Sequence, residues 1–136
     1  MILDTSVVIA GERKSFDLPA FLQSLGAESV AIAAVTASEL LHGCHRAHDA
    51  ATRIRRLAFV DAVLDLIPVI PFGLAEARRH ADVWSELSRK GKVVGAHDML
   101  IAATVLAAGD RLATFNLREF RTVPGLQVVN PVQLHR

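Results

Sequence analysis

Four acidic side chains fall where the edge of a β-sheet could gather them: Asp4, Glu39, Asp98 and Glu119. Asp4 directly follows the apolar run 1–3, and Glu39 lies a few residues beyond the β-branched run 30–35. Asp98 opens a long apolar stretch, and Glu119 comes shortly after the run 111–114 that follows that stretch. In an open α/β sheet the carboxyl ends of the strands share one edge, and ligands bind there. Carboxylates crowded into a dry cleft repel one another, and their ionised forms are costly unless a cation neutralises them. Hard oxygen donors select Mg²⁺ or Mn²⁺ over zinc. Such a centre suits phosphodiester hydrolysis, in which the ion polarises a phosphoryl oxygen, lowers the pKa of a water and stabilises the leaving oxygen.

Taken one at a time, these acids have plainer readings. Asp4 before Thr5 and Ser6 could form an Asx-turn. Glu39 completes a capping box, Thr36-x-x-Glu39, and like Asp98 it favours a helix N-terminus through the dipole. The plain readings do not account for the joint placement on one sheet edge, nor for a carboxylate opening an otherwise apolar helix.

The positioning elements follow from hydrophobic periodicity. Short apolar runs alternate with helical patterns, which is the signature of an α/β domain with a parallel sheet. Strands are expected in 1–3 (continuing into apolar 7–10), 30–35, 67–70, 111–114 and 126–129. A helix is expected from Thr36 to about Arg46. Another, over about 50–66, sets Ile54, Leu57, Val60, Leu64 and Ile67 on one face. A third, over 74–88, sets Leu74, Ala77, Ala81, Trp84 and Leu87 inward. The stretch 98–108 is apolar nearly all round and reads as a buried helix, ended by Gly109.

Composition bounds the rest. The 136 residues are 51% hydrophobic and 21% charged, with a net charge of +1, one Cys and no Tyr. One domain spanning 1–136 is expected from this length. The apolar content suggests surface buried against another chain. The uncharged stretches are about half the roughly 20 residues a membrane span needs. With no signal-peptide pattern and a lone Cys44, a reducing, cytoplasmic setting is expected. A globally basic nucleic-acid binder is not indicated, although Arg46, Arg53, Arg55 and Arg56 cluster, as do Arg78, Arg79, Arg89, Lys90 and Lys92. These read as solvated helix faces or as basic rims flanking an acidic centre. Few aromatics exclude recognition by a stacking sheet.

Several other signals carry less. His42, Cys44, His45 and His48 would splay around a helix rather than converge as zinc ligands. His97 beside Asp98 could assist catalysis, but a helix-terminal or surface histidine is the plainer reading. The glycines form neither G-x-G-x-x-G nor a P-loop.

The motifs together resemble a known family. Met1-Ile-Leu-Asp4-Thr-Ser6 resembles the opening of PIN-domain proteins. Thr36-Ala-Ser-Glu39-Leu-Leu-His-Gly43 resembles their second acidic motif, and Gly95-Ala-His-Asp98-Met-Leu-Ile-Ala-Ala-Thr104 the third. Leu112-Ala-Thr-Phe-Asn-Leu-Arg-Glu-Phe120, with Val123-Pro-Gly-Leu126, resembles the fourth. Among PIN proteins the likeness is to VapC-type toxins, which carry little beyond the domain. The resemblance implies a three-layer α/β/α sandwich around a mostly parallel sheet of four to five strands. It implies a Mg²⁺-dependent endoribonuclease, with Mn²⁺ able to substitute, acting on RNA such as tRNA or rRNA. Asp4 and Asp98 would bind the ion. Glu39 would ligate it or activate the nucleophilic water, and Ser6, Thr114 and Asn116 would support the acids and orient substrate phosphate. Many members carry an aspartate where this chain has Asn116; a subset carries an acid three residues on, where Glu119 stands, so the fourth acidic role is carried to Glu119. Members form homodimers and are neutralised by a cognate VapB-type antitoxin, whose C-terminal segment wraps the toxin.

Two other classes compete. A PIN-like module could bind RNA or a protein with little turnover; Asp4, Glu39 and Asp98 argue against that reading, and Asn116 keeps it open. A metal-dependent phosphatase for small phosphoesters is disfavoured by the lack of Asp-x-Asp-x-Thr near the first strand.

Overall fold

The structure, a computed structural model, describes residues 1–134; the last two residues of the expected 1–136 domain lie outside the described residues. Five strands of two residues each carry the sheet: β1 (Ile2–Leu3), β2 (Ile32–Ala33), β3 (Val69–Ile70), β4 (Leu112–Ala113) and β5 (Val128–Val129). All pairings are parallel: β1 with β4, β4 with β5, and β2 with β3. A parallel bridge between Ile2 and Ala31 joins the two groups. The spatial order is therefore β3-β2-β1-β4-β5. The chain winds outward from β1 on both sides, so the crevice between the carboxyl ends of β1 and β4 is the topological switch point, where ligands of open α/β sheets bind.

Alternation along the strands builds two cores. Met1, Leu3, Ile32 and Ala113 face one side, while Ile2, Ala33 and Leu112 face the other. Successive strand residues point to opposite faces, and a parallel sheet needs cover on both. On the first face lie α1 (Thr5–Glu12), α2 (Leu18–Ser24), α3 (Ala34–His45) and α4 (Ala50–Leu66), supplying Val7, Phe21, Leu40 and Val63. On the second lie α5 (Leu74–Arg89) and α6 (Ala96–Ala108), supplying Val83, Leu87, Ile101 and Val105. Two short helices, α7 (Leu117–Phe120) and α8 (Pro131–Leu134), follow β4 and β5. This is the expected three-layer arrangement, with five strands.

Four expectations need correction. The run 7–10 is not a continuation of β1 but the body of α1. Its Val7 and Val8 are both fully buried against the sheet, and that packing outweighs the β preference of branched side chains. The Thr36-x-x-Glu39 capping box does not form, because α3 starts at Ala34 and both residues lie inside it. On α5 the buried residues are Val83 and Leu87, while Leu74 and Trp84 are 68% and 58% exposed. On α4 likewise Val60 and Val63 are buried, but Ile54 and Leu57 are exposed. Among the described residues no helix is long and apolar enough to cross a membrane.

Candidate active site

Asp4 ends β1 with an extended backbone and opens α1. Its N–H donates to the Ala113 carbonyl at 2.9 Å, which pins the start of α1 to the end of β4. The side chain is almost wholly buried. Its Oδ2 accepts hydrogen bonds from Ser6 Oγ at 2.7 Å and Thr114 Oγ1 at 2.8 Å. Burial raises the Asp4 pKa above its ordinary value, and the Ser6 and Thr114 hydroxyls offset part of that rise. Thr114, fully buried after β4, also accepts from the Asn116 N–H at 2.9 Å, and Ser6 Oγ accepts from the Phe115 N–H at 3.1 Å. The two strand ends are thus stitched together around one carboxylate.

Asp98 is the third residue of α6, whose N-cap is Gly95. A Cβ built on Gly95 would stand 3.5 Å from Glu119 Oε1 and 3.6 Å from Asp98 Oδ2, so the two carboxylates meet over that glycine. Glu119 is held by the Gly95 N–H at 2.7 Å and by Asn116 Nδ2 at 3.0 Å. These donors lower its pKa. Asp98 is pushed up to about 7, first by burial and then by the charges of Glu119, Asp4 and Glu39. Burial and crowding thus favour the protonated form of Asp98, while the donors to Glu119 favour its ionised form.

Glu39 reaches the same place from α3. Its Oε1 accepts from Thr5 Oγ1 at 2.7 Å, and Thr5 Oγ1 also lies 3.0 Å from the buried Thr36 Oγ1. Its Oε2 lies 3.5 Å from His97 Nδ1. Thr36 and Glu39, read from sequence as a cap, are instead turned together toward Thr5.

The structure thus brings Asp4, Ser6, Glu39, Asp98, Thr114, Asn116 and Glu119 to one sheet edge. Thr5 lacked a sequence signal, being visible only as the residue after Asp4, whereas His97, which the sequence marked beside Asp98 and read more plainly as a helix-terminal or surface histidine, stands next to Glu39. Of the basic clusters, Arg46 and Arg56 line a cavity of about 600 Å³ that Glu39, Thr5 and His97 also line. Cys44 is buried, its thiol pKa raised by that burial, and His45 is exposed. The histidine–cysteine run makes no metal cluster among the described residues.

The four acids fit a hard divalent cation in donor type and charge. Asp98 feels the charges of all three others, and a cation placed among them would relieve that repulsion. Among the described residues no three of these side chains already converge as a ready-made coordination sphere.

The PIN domain family profile matches residues 1–126. The chain is 35% identical over 129 residues to Ribonuclease VapC1 of Rickettsia felis, covering 95% of this chain and 94% of that protein. It is 30% identical over 105 residues to the tRNA(fMet)-specific endonuclease VapC of Salmonella typhimurium, covering 77% of each. The fold is similar to a chain of the DNA-bound VapBC crystal structure from Salmonella typhimurium, with a TM-score of 0.87 and 27% identity over 96% of each chain.

Proposed function

The chain belongs to the PIN-domain family, and we propose that it is a metal-dependent endoribonuclease of the VapC type, held in check by a VapB-type antitoxin. The observation that carries this reading is the gathering of Asp4, Glu39, Asp98 and Glu119 along the carboxyl edge of the sheet, close enough that the charges of the other three, after burial, push Asp98 up to about 7.

Asp4, Asp98 and Glu39 are the residues that would hold Mg²⁺ or Mn²⁺. Bound there, the ion supplies Lewis-acid chemistry, polarising a phosphoryl oxygen and acidifying water. The chain's own groups do the rest. Ser6 and Thr114 fix Asp4 through its Oδ2, and Thr5 fixes Glu39 through its Oε1. Glu39 Oε2, which takes no bond from Thr5, is the oxygen that accepts the proton of the attacking water. Asn116 and the Gly95 N–H hold Glu119 ionised beside Asp98, so Glu119 fills the fourth acidic role and Asn116 serves as its support. Water adds to phosphorus, the P–O3′ bond breaks, and the leaving O3′ takes a proton from solvent water or from Glu39, giving a 5′-phosphate and a 3′-hydroxyl.

The solved relatives include toxin–antitoxin complexes, which supports an antitoxin partner here. A homodimer is proposed on the same likeness, with the exposed Leu74 and Trp84 among the apolar groups it would cover. The RNA substrate implies a cytoplasmic setting.

The test is cleavage of bacterial RNA by purified protein with Mg²⁺, with Mn²⁺ and with EDTA, beside Asp98→Asn. Discrete fragments that need the metal and vanish in the variant are expected. Intact RNA in every lane, from folded and antitoxin-free protein, would refute the enzyme and favour a binding module.

A further inference from the structure

Beside the acids lies a cavity of about 600 Å³ between α1, α3 and α4, well inside the range of pockets that hold a nucleotide-sized ligand. Glu39, Thr5 and His97 belong both to it and to the acidic site; Asp4, Asp98 and Glu119 do not line it. Elsewhere its wall changes sign. Arg56 is already engaged, with Glu12 at 3.4 Å and the Gly43 carbonyl at 3.0 Å. Arg13 and Arg46 are exposed, and among the described residues their side chains make no hydrogen bond or ion pair. They follow the C-termini of α1 and α3, where the dipole favours a cation. The dipole explains either arginine alone but not two uncommitted guanidinium groups on one chamber. Phe59, half-buried, and Val60, buried, supply apolar floor from α4.

We propose that this chamber is the subsite for the RNA segment next to the scissile bond, with Arg13 and Arg46 holding its phosphates and the surface around Phe59 carrying a sugar or base. The inference rests on the ribonuclease reading. The acidic site repels a polyanion, and the whole chain carries a net charge of only +1. A strand therefore needs local cations close to the acids, and affinity for nucleic acid comes mainly from such phosphate contacts. Because Glu39 lines both spaces, whatever fills the chamber is contiguous with the bond being cut. That continuity favours RNA over an acidic protein segment as the occupant.

The test is fluorescence anisotropy of a labelled single-stranded RNA on the non-cleaving Asp98→Asn protein, over about 50–200 mM salt. Arg13→Gln and Arg46→Gln, added singly, are expected to weaken binding about 5- to 10-fold and to lower the salt slope by about 0.7 each, the loss of one phosphate contact. In the wild-type background they raise KM and leave kcat within about twofold. Gly43→Met supplies a second route. Gly43 lines the chamber, and nothing stands within 4 Å of where its Cβ would be. Filling that space should weaken binding about threefold with the salt slope unchanged. The pair Arg78→Gln and Arg79→Gln, on the exposed face of α5, should change neither. Unchanged affinity and slope in Arg13→Gln and Arg46→Gln overturn the inference, while metal-dependent cleavage by the wild type keeps the ribonuclease reading intact. Absence of that cleavage sinks the ribonuclease reading on its own evidence. An RNA that does not bind at all overturns the chamber proposal. So do variants that bind RNA normally but escape inhibition by a protein partner.

Discussion

Replacing Asp98 by asparagine should remove activity and at the same time stabilise the metal-free protein. The carboxyl ionises near 3.8 in the unfolded chain and at about 7 in the fold. Between those values the folded protein keeps a proton that the unfolded chain releases, so stability falls as pH rises through the window, and the loss is complete above pH 7. At 1.36 kcal/mol per pH unit the full difference is about 4 kcal/mol. Asp98 is only half-buried, and solvent screening reduces this to about 1–2 kcal/mol. The variant also forfeits a favourable charge in the first turn of α6, about 0.3–1 kcal/mol. The net gain is about 1 kcal/mol, or about 3–5 °C in Tm for a domain of this size. The assay is thermal unfolding followed by circular dichroism in EDTA. At pH 8 Asp98→Asn should melt above the wild type. At pH 5 about a third of the gap should remain, because the wild-type carboxyl is then mostly protonated in the fold. Mg²⁺ should raise the wild-type Tm and leave the variant nearly unmoved. A variant that melts at or below the wild type at pH 8 in EDTA would refute the claim that uncompensated charge crowds this site.

Other outcomes follow from the supports. Thr5→Val keeps the shape but removes the donor to Glu39, and the loss of a hydrogen bond to a charged group should cut the cleavage rate about 10- to 100-fold, with Thr5→Ser restoring it. Thr114→Val deprives Asp4 of a donor and the Asn116 N–H of its acceptor; urea unfolding should show about 2 kcal/mol less stability, and titration calorimetry should show weaker Mn²⁺ binding. Gly109 caps α6 at φ 64° with nothing within 4 Å of where a Cβ would stand, so Gly109→Ala should lower stability by about 1 kcal/mol through backbone strain alone and leave RNA cleavage untouched.

The acids of this site were legible because each stands next to an apolar run whose end can be read without coordinates. A charge beside a buried strand or opening a buried helix is costly, and position alone asks what offsets it. The partners of those acids were less legible for the opposite reason. A threonine after a strand is common, and only the backbone turn from β1 into α1 brings Thr5 to a glutamate 34 residues away. The capping-box misreading has the same root. Thr36 and Glu39 carry a real helix-start pattern, but β2 ends at Ala33 and α3 begins at once, so a motif that could have closed locally turns to a tertiary partner. On α5 both an apolar stripe and a separate buried edge satisfy helical spacing. Periodicity chose the stripe Leu74, Ala77, Ala81, Trp84 and Leu87; the core takes Leu87 from that stripe and Val83 from the neighbouring edge, and leaves Leu74 and Trp84 exposed. Helical spacing identifies which residues share a face; it does not say whether that face meets its own sheet or another chain. Ile54, Leu57, Leu74 and Trp84, which the sequence assigned to the core, are thus apolar residues that this fold by itself leaves exposed, in a chain that is 51% hydrophobic.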